Sequence, residues 1–223
     1  MPQESSQPIA ALVSQLNSLI SNLRNYLPSD LSSIWSFIAG ISGGFIVALL
    51  AEPLRQRMFR PNLTIEFKRD DRFVTNTVGR DEAGREWRQR YIRVRVQNTR
   101  RLAKNCRAYL TNVEQLNPDG IFESTGYIDS IQVKWSARGE EALNGIDLPK
   151  GVNQFVDVIM TQETIPSFIP QTAISLYRYD EIWKRQGTFR FTVLVSGDGV
   201  KPKFVKLRFV WRGRWDDFEA DAG

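Results

Sequence analysis

Histidine is missing from all 223 residues, and cysteine occurs once, as Cys106. Without histidine the chain lacks the commonest general base and the commonest transition-metal ligand. Serine–histidine, cysteine–histidine and histidine-bound zinc chemistries are thereby excluded in their usual forms. One cysteine makes no internal disulfide, so the fold has no covalent staple of the secreted kind, and a reducing compartment is favoured. No glycine-rich phosphate loop is present either; the cluster Ile41-Ser-Gly-Gly44 falls inside an apolar run. Charge is scarce at one end. Residues 1–59 carry only Arg24, Arg55 and Arg57 against Glu4, Asp30 and Glu52, so the net +5 belongs wholly to residues 60–223. A balance of that size suits anionic lipid or another acidic surface and is weak ground for nucleic acid.

Within the charge-poor end, residues 31–50 read LSSIWSFIAGISGGFIVALL, twenty residues without a charge. As a helix they are about 30 Å long, the thickness of a bilayer's hydrocarbon core. Their Leu, Ile, Phe and Val residues each favour insertion by roughly 0.3–0.6 kcal/mol. Ser29 or Asp30 caps the start, and Glu52-Pro53 ends the helix, which predicts one transmembrane helix over 31–51. A cleaved signal peptide fits less well, because thirty polar-to-amphipathic residues precede the run. Arg55, Arg57, Arg60, Lys68 and Arg69 follow the span closely, whereas only Arg24 precedes it. The positive-inside rule then places the N-terminus outside and the C-terminal domain in the cytoplasm of a plasma (inner) membrane. Arg55, Arg57 and Arg60 form a basic juxtamembrane linker over 52–61. The sequon at Asn62-Leu63-Thr64 requires the opposite topology and is set aside as a chance match.

Ser32, Ser36, Gly40, Gly44 and Ala48 form one row of small residues along the span, with a GxxxG pair at its centre. Such a row lets a second backbone approach closely, so the expected partner is a second copy of the chain or another membrane helix. Before the span, and after a disordered start over 1–8, Ile9, Leu12, Leu16, Leu19, Leu23 and Tyr26 recur at steps of three and four. This predicts an amphipathic helix over 9–27 with an almost uncharged polar face.

Beyond Arg60 the period becomes two. Leu63, Ile65 and Phe67 alternate with polar residues, as do Ile92, Val94 and Val96, then Phe189, Phe191, Val193 and Val195, then Val205, Leu207, Phe209 and Trp211. Alternation of this kind means antiparallel strands with one buried face. Further strands are expected at 107–113, 131–135, 155–160 and 173–177, with a hairpin at Gly197-Asp198-Gly199. Seven or eight strands without helices between them predict a β-sandwich over 62–212, followed by an acidic tail over 213–223.

The runs Tyr91-Ile-Arg-Val-Arg-Val-Gln-Asn98, Ala103-Lys-Asn-Cys106-Arg-Ala-Tyr-Leu110 and Leu148-Pro-Lys-Gly151 before Phe155-Val-Asp-Val158 resemble prokaryotic immunoglobulin-like modules, the cell-adhesion-related bacterial domains among them. The resemblance covers roughly residues 89–160. It implies an all-β immunoglobulin-like sandwich in which Asn98 closes a strand through local backbone bonds, Pro149 sets a turn and Gly151 accepts a positive φ. It implies fold rather than activity.

Acids cluster at Asp70-Asp71, Asp81-Glu82, Glu140-Glu141, Asp180-Glu181 and Asp216-Asp217, without calcium-loop spacing. They read as solvated groups, and no catalytic, metal or cofactor residue is assigned. Cys106 reads as a small core residue. The candidate partner faces are basic: Arg93 and Arg95 on one strand, with Tyr91 beside them, and Arg190, Lys206, Arg208 and Arg212 on the last hairpin, with Phe204 among them. These sit on opposite sheets and give two surfaces rather than one groove. Two charged or aromatic excursions, 70–88 and 161–186, interrupt the strands; the aromatics of the second read as filling a sandwich edge. The expected function is a non-enzymatic, membrane-anchored interaction or scaffold protein with lipid and an unidentified protein as partners. Two alternatives stay open: a membrane-bound enzyme or nucleic-acid effector working through the two excursions, and an external adhesin-like module of reversed topology.

Overall fold

Alternating apolar residues need a second layer to bury their inner faces, and the way this chain supplies one decides where its surfaces fall. The computed structural model describes residues 7–26, 60–80 and 82–223. The expected span, its row Ser36, Gly40, Gly44 and Ala48, and the linker residues Arg55 and Arg57 lie outside the described residues; Arg60 is exposed. Among the described residues, no helix is long and apolar enough to cross a membrane. The chain divides into two units, Met1–Met58 and Phe59–Gly223.

In the first unit, α1 (Gln7–Tyr26) matches the amphipathic helix expected from the three–four spacing. Its described apolar side chains, Val13, Leu16, Leu19 and Ile20, are all exposed.

The second unit is all-β and antiparallel. Its first layer is built on β3 (Glu86–Asn98), with β1 (Leu63–Glu66) and β2 (Val74–Arg80) end to end along one edge. The other edge of β3 carries β8 (Asn153–Gln162), on which β9 (Ile165–Pro170) folds back. In the second layer β10 (Gly187–Asp198) lies between β4 (Ala103–Leu116) and β11 (Lys203–Arg214), with β12 (Asp217–Ala222) beyond. Short strands β5 (Phe122–Ser124) and β7 (Ile146–Leu148) pair with the other edge of β4. One strand, β6 (Ile131–Trp135), belongs to both layers: Ile131 pairs with Leu110 of β4, and Trp135 with Val156 of β8. A strand that switches layers turns a corner between sheets. Through it twelve strands form one continuous, barrel-like sheet.

The inward residues are those the alternation selects. Ile92, Val94, Val96, Phe189, Phe191, Val193, Leu207, Phe209 and Trp211 are all almost fully buried. Phe168 of β9 reaches across to them, with ring centroids 5.1 Å from Phe189 and 5.2 Å from Phe209. It anchors the 161–186 excursion to the second layer. Full burial of a phenylalanine contributes about 1.5–3 kcal/mol by transfer alone.

Asn98 fulfils the role the resemblance implies and adds a longer reach. Fully buried at the end of β3, it accepts a bond from Arg100 N at 3.1 Å and donates Nδ2 to Arg101 O and, at 2.6 Å, to Leu148 O. Its own carbonyl accepts Gly151 N at 2.7 Å, and Gly151 sits at φ +81°, a region glycine enters without a Cβ penalty. The two motifs, fifty residues apart, are thus one joint.

Several expected boundaries change. Twelve strands replace the seven or eight, because β2, β5, β7, β9 and β12 are short or lack clean alternation. The excursion 70–88 is mostly a hairpin, β2 pairing with the first half of β3, and it buries Phe73 against Phe67 and Phe155. Residues 173–177 are not a strand: a bend and the start of a 3₁₀ turn (Tyr177–Tyr179) stand there, and the strand is β9, despite Pro166 and Pro170. Proline is tolerated on an edge strand, where a ladder donor is dispensable. The acidic tail folds back as β12, and Phe218 packs 5.6 Å from Phe209. Its acids are outward residues of an alternating strand rather than a solvated tail. The hairpin at Gly197-Asp198-Gly199 forms as expected, joining β10 to β11.

Candidate functional site

The second excursion builds a concave surface on the domain. After β9, a bend leads into the 3₁₀ turn and then the single helical turn α2 (Asp180–Lys184). Its aromatics divide by role. Phe168, Tyr179 and Trp183 are buried, as expected of edge-filling residues, but Tyr177 is 78% exposed. A network around Asp129 holds the segment. Tyr179 Oη donates to Asp129 Oδ2 at 2.9 Å, Arg178 pairs with the same carboxylate, and Ile128 N donates to Tyr179 Oη at 3.4 Å. The Arg178 hydrogen bond holds the Asp129 carboxyl below the usual carboxylate range. Tyr127 packs 4.9 Å from Tyr179 and donates to Leu110 O at 3.2 Å, and burial pushes its phenol up.

Between this segment and β9 lies a groove of about 540 Å³ with Phe168, Leu176 and Trp183 among its lining residues. Ser167, Ile169 and Tyr177 also line it, and Lys134 of β6 contributes a cation. A second depression of about 470 Å³, lined by Asp129, Ile131 and Arg178, shares residues 174–177 with the first. Those shared residues stand as a ridge between the two. Ile174 is 61% exposed on it, and Ile128 beside Asp129 is 81% exposed. Single exposed apolar residues are ordinary, but three around paired depressions form a surface suited to a partner.

Lys134 also ends a row of alternating charge across three strands. In register stand Lys134 on β6, Asp157 on β8 and Arg93 on β3. Arg93 Nε lies 3.0 Å from Asp157 Oδ1, and Ser136 Oγ donates to the same oxygen at 2.5 Å. Burial raises the Asp157 carboxyl, against the opposing pull of Ser136, Arg93 and Lys134. These contacts hold Asp157 between two cations in a charge row.

The expected basic faces are largely neutralised. Arg93 pairs with Asp157, Arg95 with Glu66, Arg190 with Glu114 and Arg212 with both Asp217 and Glu219. Arg190 binds Glu114 through two nitrogens, at 2.6 and 2.8 Å, which holds that carboxyl below its ordinary range. Lys206 and Arg208 remain exposed on β11. β3 and β11 do lie in different layers, so the separation into two surfaces holds while the charge of the first does not.

The chain matches no protein-family model and no curated protein.

The acids of the two excursions are also mostly engaged. Asp70 is paired with Arg72, Glu86 with Arg80, Glu163 with Arg88 and Glu181 with Lys184. Among the described residues, no three carboxylate or thiol groups converge into a metal site. Cys106 is buried, and its thiol is pushed up to about 11 by burial first, then by Asp147 and Asp198. That makes it a poor nucleophile at neutral pH. Sequence reasoning missed the groove and the Asp129 network because both depend on β6 meeting a segment fifty residues away. The available signal was the unpatterned apolar set Ile174, Leu176 and Tyr177 after two prolines.

Proposed function

We propose that this chain is a single-pass, membrane-anchored, non-enzymatic interaction or scaffold protein presenting an immunoglobulin-like sandwich at the cytoplasmic membrane face. The uncharged run 31–50 and the cations after it support the anchor and its direction. The observation that carries the interaction role is the ridge of Ile174 and Tyr177 between two depressions, one of them edged by the Asp129–Arg178 pair. Its partner is a protein segment offering an apolar side chain to the Phe168–Trp183 groove and a carboxylate to Lys134. Such aromatic contacts, ringed by polar groups, carry most of the energy in protein interfaces.

The test is a photo-cross-linking amino acid at Tyr177 in intact membranes, with the same residue at exposed Lys150 as the control. A discrete adduct from position 177, lost with Ile174→Asp and absent from position 150, supports the reading. Equal patterns from both positions remove the ridge, and recovery of the intact chain as a monodisperse species in detergent-free buffer removes the anchor. Labelling of introduced cysteines on each side of the span decides the topology; an outside C-terminal domain revives the adhesin-like alternative.

A further inference from the structure

The outer face of β4, β10 and β11 gathers several cations that form no ion pair around one exposed aromatic ring. Register sets Tyr109, Leu194 and Phe204 side by side in one row across these strands. Tyr109 and Leu194 are half-buried, and Phe204 is 62% exposed. On one side of the row, alternation places Lys206 and then Arg208 on the same face of β11. On the other side Arg107 stands opposite Ser196, and Lys201 is exposed in the β10–β11 turn. Among the described residues, Arg107, Lys201, Lys206 and Arg208 make no ion pair; Arg107 Nε donates only to Asn105 Oδ1, at 3.3 Å. The acids nearby are occupied or few. Glu114 is clamped by Arg190, Asp221 lies opposite Arg208 and 3.8 Å from Arg69, and Asp198 ends β10.

We infer that this face seats the domain on an anionic lipid surface. Phe204 enters the boundary between headgroups and acyl chains, while Arg107, Lys201, Lys206 and Arg208 meet the headgroup anions. An aromatic among cations suits that boundary, because the ring leaves water as the long basic side chains stay hydrated. Anionic headgroups also supply the counter-charge that the domain withholds here and provides at Arg93, Arg95, Arg190 and Arg212. A single-stranded nucleic acid would need successive exposed aromatics for stacking, and only Phe204 stands clear of this row. The inference rests on the membrane-anchored reading for the presence of a bilayer beside the domain.

The experiment places the full chain in phosphatidylcholine nanodiscs with and without phosphatidylserine. A fluorophore on Thr192→Cys, beside Lys206 in register, reports quenching by a headgroup-attached quencher. Cys106 is buried and stays unlabelled. Quenching is expected to rise severalfold with phosphatidylserine and to fall with added salt. The surface-bound population should drop roughly fivefold for each cation removed in Lys206→Gln and Arg208→Gln, and again in Phe204→Ser. Equal quenching in both lipids, or a Lys206→Gln/Arg208→Gln chain that behaves as the parent does, overturns the inference. So does occlusion of the fluorophore by single-stranded DNA and not by phosphatidylserine. A chain that stays out of the nanodiscs refutes the anchor alone. Co-flotation of that chain with phosphatidylserine vesicles then decides this face by itself.

Discussion

Replacing Asn98 by alanine tests the claim that one buried amide joins two distant turns. The substitution removes the donor to Leu148 O, the donor to Arg101 O and the acceptor for Arg100 N, in a site with no exposed surface. Each net hydrogen bond is worth about 1 kcal/mol, and carbonyls stripped of their donors add to that, so the expected loss is roughly 3–4 kcal/mol. With a urea dependence of about 2 kcal/mol/M for a domain of this size, the unfolding midpoint should fall by about 1.5–2 M. Equilibrium unfolding followed by tryptophan emission measures it. Asn98→Asp refines the test. A carboxylate facing two carbonyl oxygens has its folded-state pKa raised, so the folded form binds the proton more tightly than the unfolded chain does. The penalty should therefore be full at neutral pH and shrink as pH falls through that raised value. A midpoint shift below about 0.3 M for Asn98→Ala, or an Asn98→Asp penalty that ignores pH, would refute the joint.

Deleting residues 216–223 removes β12 and uncovers the edge of β11 and the ring of Phe209, so it should cost several kcal/mol and promote association; thermal unfolding and light scattering check both. Arg93→Met leaves Asp157 charged and largely buried, whereas Asp157→Asn keeps a neutral group of the same shape. The first should be the more destabilising at pH 7, by about 1–3 kcal/mol. Because burial already raises the Asp157 carboxyl, and losing Arg93 raises it further, the Arg93→Met deficit should narrow as pH falls. Phe168→Ala should cost about 3–5 kcal/mol by opening a cavity among the rings of Phe189, Phe191, Phe209 and Trp211, read as a loss of thermal stability. Cys106, buried with its thiol pushed up to about 11, should react with iodoacetamide at pH 8 only after urea unfolding; rapid labelling of the native chain would contradict its burial.

Period-two alternation marked β1, β3, β10 and β11 because one face of each meets a core, and that contrast is written residue by residue. β12 and β9 went unread for a local reason: the one is six residues long with Phe218 as its single large apolar side chain, and two prolines interrupt the other. Their strand character comes from the neighbours they pair with. The same division governs function. The parity of Arg93, Arg95 and Arg190 was legible, but their charge as felt by a partner depends on Asp157, Glu66 and Glu114, which register brings opposite them.

By itself the sequence determined the all-β class of the C-terminal unit, the helix before it, the twenty-residue run without charge and the exclusion of histidine chemistry. Those are properties of composition and of short periods along one chain. Only the tertiary structure decided which cations stay unpaired, where Tyr177 and Phe204 reach solvent, and that a layer-switching strand brings Lys134 to the groove beside β9. These depend on pairing between residues far apart in the chain, and a local pattern does not encode which strand its neighbour will be.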